Sequence, residues 1–151
     1  MSPPPLAPRR LPWRAALLCT LLAALPAAAD AARLVVRAWG TPAGGVWPQM
    51  QLRVNGTVVG SAEVRSASPV DYAFTVASLP TGAKVDVVFT NDAWINGEDR
   101  NLFVAYLSDG AATVLPTLPG AVVDKGSGTR AFDGLDTVPG QSGIYWNAAL
   151  R

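Results

Sequence analysis

Five short rows carry an apolar residue at every second position: Leu34, Val36 and Ala38; Met50, Leu52 and Val54; Tyr72, Phe74 and Val76; Val85, Val87 and Phe89; and Leu102, Val104 and Tyr106. Side chains on a strand alternate between the two faces, so a period of two buries one face of a sheet and leaves the other to polar residues such as Arg37, Asp86 and Thr90. Gly, Pro, Asn and Asp separate the rows, and helical periodicity is sustained nowhere, which predicts an all-β chain folded as a jelly-roll-like β-sandwich. Asn55-Gly56 signals a tight hairpin and Asp109-Gly110 a second turn. Asn55-Gly56-Thr57 also spells a glycosylation acceptor, but the hairpin explains it better. The segment from Ile144 to Leu150 reads as a closing strand, on which Tyr145 and Trp146 alternate, so one of the two is expected to face inward.

The rows begin only after a different kind of segment. Arg9, Arg10 and Arg14 form a basic start, Ala15 to Leu25 is an apolar run too short to span a bilayer, and Ala27-Ala28-Ala29 supplies small residues for cleavage. Residues 1–29 thus read as a signal peptide cut near Ala29 to Ala31, and 30–151 as one domain of a secreted protein, extracellular or periplasmic. No later stretch is apolar enough to hold the mature protein in a membrane. Removing the three arginines from 12 basic residues leaves 9 against 11 acidic ones, a formal charge of −2, which speaks against nucleic acid. Cys19, the only cysteine, falls in the signal segment, and there is no histidine. A Ser-His-Asp triad, a Cys-His pair and a nitrogen- or sulfur-ligated metal are excluded in the mature chain, and oxygen chemistry remains.

Oxygen is concentrated between Phe89 and Leu102, in FTNDAWINGEDRNL. Asp92, Glu98 and Asp99 stand there among Asn91, Asn96 and Gly97. Calcium takes six to eight oxygens from carboxylates, carbonyls and water, so the loop is a candidate calcium cradle with Asp92 and Asp99 as carboxylate ligands and Gly97 and Glu98 offering carbonyls. Trp94 lies in the same loop; an indole beside an oxygen-rich ion site suits a surface that meets sugar hydroxyls and stacks on a sugar ring. Asn96 and, on the last segment, Trp146 are further candidates for contact with a sugar. Ordinary turn chemistry is the competing account of the loop, because Asn and Asp bond their own backbone.

FTNDAWINGEDRNLFVAYL, followed by AFDGLDTVPGQSGIYWNAALR, resembles the calcium-dependent xylan-binding modules, carbohydrate-binding module family sixty more than the related family thirty-six. The resemblance extends from LVVRAWG to the terminal strand. It implies a β-sandwich whose calcium ion completes its shell with neighbouring hydroxyls of xylose or a related sugar, and Asp92 and Asp99 match the family's loop aspartates. The implied function is non-catalytic binding of xylan or a related polysaccharide, and the implied partner a separate glycoside hydrolase. The chain departs from the family at Ala105, where a carboxylate is common, and it lacks the disulfide of some members.

Two other readings compete. Asp92, Glu98 and Asp99 offer carboxylate pairs for glycoside hydrolysis, but that chemistry holds its carboxyls roughly 5 to 10 Å apart across a cleft, and one short turn-rich loop is a poor frame for it. A structural or adhesion protein would use calcium only to stiffen the loop. Among the remaining candidates, Arg100 is expected to brace the ion site by pairing with an acidic loop residue, Trp39 and Trp47 to serve packing, and Asp133 and Asp136 to brace the long segment from Leu115 to Gly143 in preference to forming a second ion site.

Overall fold

The computed structural model describes residues 31–151, and the segment read as a signal peptide lies outside them. The described strands, in chain order, are Ala32–Thr41 (β1), Gln49–Val54 (β2), Thr57–Glu63 (β3), Val70–Val76 (β4), Val85–Phe89 (β5), Trp94–Ile95 (β6), Glu98–Asp99 (β7), Asn101–Ser108 (β8), Thr113–Val114 (β9), Val122–Lys125 (β10), Thr137–Pro139 (β11), Gly143–Ile144 (β12) and Ala148–Leu150 (β13). One sheet runs β12-β8-β1-β4, with β9 also on β8; the other runs β11-β10-β13-β5-β2-β3; β6 and β7 pair only with each other. The chain crosses repeatedly between the two sheets, so the alternating rows meet face to face. Leu34, Val36 and Ala38 of one sheet and Met50, Leu52, Val87 and Phe89 of the other are all buried, which is the β-sandwich that the period of two predicts.

Asn55 and Gly56 join β2 to β3 with φ of 49° and 81°. Positive φ at both central residues is what a two-residue hairpin turn with matching twist requires. Gly40 matters for a different reason. A Cβ there would sit 2.5 Å from Pro48 Cγ and 2.8 Å from the Asn101 carbonyl, so the backbones of β1 and β8 approach the 48–49 segment only because the side chain is missing.

Three expectations fail for physical reasons. The row Leu102, Val104, Tyr106 breaks because Arg37 pairs with Tyr106 while Ala38 pairs with Val104, leaving Ala105 as an extra residue. That bulge reverses the alternation: Leu107 packs on the core, and Tyr106 turns outward, its hydroxyl donating to Asp71 at 3.3 Å. Strand β5 does not alternate between core and water, since Asp86 and Val88 are buried as well. The segment 126–136 forms an outer layer over it, with Ala131 and Phe132 packed on Val88 and Ala149. Arg53 and Arg151 cover the Phe132 ring at 4.6 and 5.4 Å, and Arg151 also bonds Asp86 and Asp124 at 3.2 and 3.4 Å.

The third failure is the closing strand. It divides into β12, paired with β8 in one sheet, and β13, paired with β5 and β10 in the other. Tyr145, Trp146 and Asn147 form the crossing between the sheets, so the inside-outside rule for a strand does not apply to them. Neither ring is inward: Tyr145 is 42% and Trp146 41% exposed.

Candidate functional site

The loop that leaves β5 is itself a small hairpin. Asn96 and Gly97 take φ of 52° and 85°, the same two-residue turn as Asn55-Gly56, and β6 pairs with β7 so that Trp94 faces Asp99 and Ile95 faces Glu98. Directly opposed residues project from the same face of a two-stranded ribbon. Trp94 and Asp99 therefore share one face, and Ile95 and Glu98 the other. The second face is tied down, since Ile95 lies against Gly44 and the Gly44 N–H donates to Glu98 Oε2 at 2.7 Å. The first face carries Trp94, which is 70% exposed and so is not packed into the end of the sandwich.

Arg100 fastens this hairpin to the body. Its side chain is 5% exposed, and it donates through Nε to the Val46 carbonyl at 2.8 Å, through Nη1 to the Asn91 carbonyl at 2.6 Å and through Nη2 to the Ala43 carbonyl at 2.6 Å. It braces the loop through carbonyls, in place of the expected bond to an acidic loop residue. Asn91 adds a second fastening, its Oδ1 accepting from Gln49 N–H and its Nδ2 donating to the Trp47 carbonyl. A third comes from Asn147, whose Oδ1 accepts from Asp92 N–H at 3.0 Å. The Thr41 hydroxyl closes the base, donating to the Asp99 carbonyl at 2.7 Å and accepting from Asn101 N–H at 3.1 Å.

With Arg100 committed to carbonyls and Glu98 to Gly44, Asp92 and Asp99 have no basic partner among the described salt bridges. Burial raises the Asp92 carboxyl above its ordinary range, the charge of Asp99 raises it further, and the charge of Arg100 and the Ala93 N–H pull the other way. Two carboxylates that repel across a half-buried space are a pair that a cation could neutralise. Asn101 sits beside Asp99, only 8% exposed; its Nδ2 donates to Asp99 Oδ2 at 3.0 Å, and its Oδ1 has no partner among the described residues. An orphaned buried oxygen on a residue bonded to one of these carboxylates fits a hard, oxygen-seeking ion. Among the described residues no cluster of three or more Asp, Glu, His or Cys forms, so carbonyls, water and ligand would complete the shell. Asn96 and Gly97 stand exposed at the hairpin tip.

An aromatic line that the sequence reading missed flanks this end of the fold. Trp39 stacks on Phe103 at 5.3 Å, Phe103 meets the edge of Tyr145 at 5.9 Å, and Tyr145 meets Trp146 at 5.9 Å. Trp39 and Phe103 are register partners on β1 and β8, two positions from the Thr41–Asn101 pair at the base of the loop. Outward-facing aromatics at paired positions are visible in sequence only when the pairing is known. Tyr145 lies over Gly143, where any Cβ would fall 2.3 Å from its hydroxyl.

More than half of the chain, residues 33–117, matches the family model described as a calcium-dependent, xylan-binding carbohydrate-binding module, family sixty. The chain belongs to this family. It is a carbohydrate-binding module, and the family's description carries calcium dependence with it. Two similar solved structures share its fold: vCBM60 in complex with galactobiose, at 21% identity over 78% of this chain and 94% of that one with a TM-score of 0.56, and a selenomethionine form of vCBM60 from work on circular permutation between two families of calcium-dependent modules, at 22% identity over 80% and 88% with a TM-score of 0.53. No curated protein matches the chain. The family match takes in the module's hairpin, Trp39 and Phe103, and stops short of Lys125, Tyr145 and Trp146.

Proposed function

We propose that this module is a secreted, non-catalytic receptor for xylan-like polysaccharide, with calcium held at Asp92 and Asp99. The observation that carries the reading is their convergence, with no salt bridge to either among the described residues, beside a tryptophan that is 70% exposed. Asp92 and Asp99 would hold the ion by their carboxylates, with Asn101 Oδ1 and the carbonyls of Gly97 and Glu98 as further oxygens. Calcium, when bound, offers open positions to neighbouring hydroxyls of a sugar. Trp94 supplies an apolar face for the ring, and Arg100 and Asn147 keep the loop from moving when charge enters it. Specificity then follows hydroxyl stereochemistry and leaves the interior of a long chain free to bind. The family's description favours xylan, and the galactobiose bound to vCBM60 makes galactan the second choice.

Catalysis is disfavoured by the same geometry. Glu98, the third carboxylate, projects from the opposite face of the ribbon to Asp99 and is engaged by Gly44, so the loop presents no acid and base across a cleft. Export rests on the basic and apolar pattern of residues 1–29, and a separate glycoside hydrolase is the partner that such a receptor would serve. Titration calorimetry with xylan, galactan and cellulose fragments, with calcium and with a chelator, tests the reading. Calcium-dependent uptake of xylan or galactan is expected. Equal affinity in the chelator would overturn the role given to Asp92 and Asp99.

A further inference from the structure

Beyond Asn147 the structure places a polar cavity open to the surface, of about 370 Å³, lined by Lys125, Ser127, Arg130, Asp133, Leu135 and Asp136. Its link to the loop is direct. Asn147 accepts Asp92 N–H with its side chain and Gly126 N–H with its carbonyl at 2.7 Å, so one residue braces both the candidate ion site and the entry to the cavity. The Lys125 ammonium joins the cavity to the end of the aromatic line, lying 5.0 Å from the centre of the Trp146 ring and 2.9 Å from Asp136 Oδ1.

The cavity is built, with its walls held from behind. Gly126 takes φ of 139°, and a Cβ there would fall 2.7 Å from Arg130 Cβ, so the backbone at 126 packs directly under Arg130. The Gly134 N–H donates to Asp124 Oδ2 of the buried carboxylate beneath, and Asp133 Oδ1 accepts from Leu135 N–H, both at 2.9 Å. Lys125 and Arg130 supply donors, Asp133 and Asp136 acceptors, and Ser127 both. Two positive and two negative groups cancel. A cavity with no net charge, both donors and acceptors, and apolar surface at Leu135, with the Trp146 ring on the far side of Lys125, suits a neutral molecule whose hydroxyls each donate and accept while its C–H face lies on apolar surface. It has neither the carboxylate excess of the hairpin nor the sign imbalance that would select an ion.

We propose that this cavity is a second, metal-independent subsite that takes a neutral sugar residue further along the glycan held at the hairpin. The inference rests on the polysaccharide-binding reading and adds to it a dependence on chain length. In the wild type with saturating calcium, affinity should rise about tenfold between a disaccharide and a hexasaccharide of the same glycan, the scale of one or two added hydrogen bonds and an apolar contact. Amide signals of residues 126–136 should shift with the hexasaccharide and stay still with the disaccharide. Arg130→Ala and Asp133→Asn, both at exposed positions, should keep the disaccharide affinity and the melting temperature and lose the gain with length. Binding of the disaccharide with no gain for longer chains, or a gain that survives in both variants, would overturn the second subsite alone. Failure of every length to bind would overturn the polysaccharide reading with it.

Discussion

Replacing Arg100 by lysine keeps a buried positive charge and removes the fork, which makes it a sharp test of how the binding loop is held. The guanidinium serves three carbonyls from two segments, Ala43 and Val46 on the turn after β1 and Asn91 at the start of the hairpin. One ammonium on a flexible stem cannot point in all three directions, and two carbonyls lose their donor. An unmet buried carbonyl costs about 1–3 kcal/mol. Val46 and Gly44 are exposed, so water reaches part of the gap, and the expected loss is about 2–3 kcal/mol, toward the low end for two such groups. A domain of this size has roughly 5–15 kcal/mol in hand, so Arg100→Lys should fold.

Urea denaturation in a chelator isolates that structural loss, and calcium titration of the folded variant measures how far the loop has slackened. Both should move: stability by about 2–3 kcal/mol and calcium affinity by about tenfold or more, since every 1.4 kcal/mol of lost preorganisation is a factor of ten. Arg100→Lys with wild-type stability and wild-type calcium affinity would refute the reasoning, because it would mean that the three carbonyls do not depend on the fork. Lost stability with intact calcium affinity would refute the narrower claim that Arg100 positions the ion site.

Asp92→Ala and Asp99→Ala should each abolish calcium uptake and glycan binding by calorimetry while the far-ultraviolet spectrum stays that of the wild type, since the carboxylates lie outside the core. Trp94→Ala should weaken glycan binding by about 1–2 kcal/mol with calcium affinity and melting temperature nearly unchanged, because the ring is 70% exposed; a large fall in melting temperature would restore it to a packing role. Acidification should act on the two properties with opposite sign. The Asp92 carboxyl is raised by burial and by Asp99, so the folded protein takes up its proton at a pH above that of the unfolded chain: the chelated protein gains stability from this group as pH falls, whereas calcium, which needs the carboxylate, is lost starting above the usual carboxylate range. Melting curves and calcium titrations across that range check both signs. Gly143→Ala should push the exposed Tyr145 ring aside with only a small fall in melting temperature, since the obstructing atoms are the outer end of a side chain.

The sandwich was legible because its evidence is local. A period of two in β1, β2 and β4 and the Asn55-Gly56 turn each act within a few residues, and the structure follows them. The Asp92–Asp99 loop was legible as composition, but its internal hairpin was not drawn out, although Asn96-Gly97 is the same turn signal as Asn55-Gly56. What stayed hidden depends on pairing between distant segments. The bulge at Ala105 follows from the register of β8 against β1, and the burial of Asp86 follows from a layer contributed by residues more than forty positions later. Asp133 and Asp136 were read as braces, and they are: one caps Leu135 and the other pairs with Lys125.

The crossing at Tyr145, Trp146 and Asn147 shows why that distinction bears on function. A strand rule assigns each residue to one of two faces, and it fails where the chain leaves one sheet for the other, because there the backbone belongs to neither. Such a crossing leaves its side chains free of core duty, which is why two large aromatics remain at 42% and 41% exposure and why Asn147 can spend its amide oxygen on Asp92 and its carbonyl on Gly126. The hairpin with the candidate ion site comes from the end of β5, the aromatic line from β1, β8 and the crossing, and the second cavity from the layer over β5. These parts are far apart in the chain and meet around one asparagine. Asn147→Ala would therefore remove an acceptor from Asp92 N–H without touching an oxygen proposed for the ion, and its effect on calcium affinity would separate positioning of the loop from ligation within it.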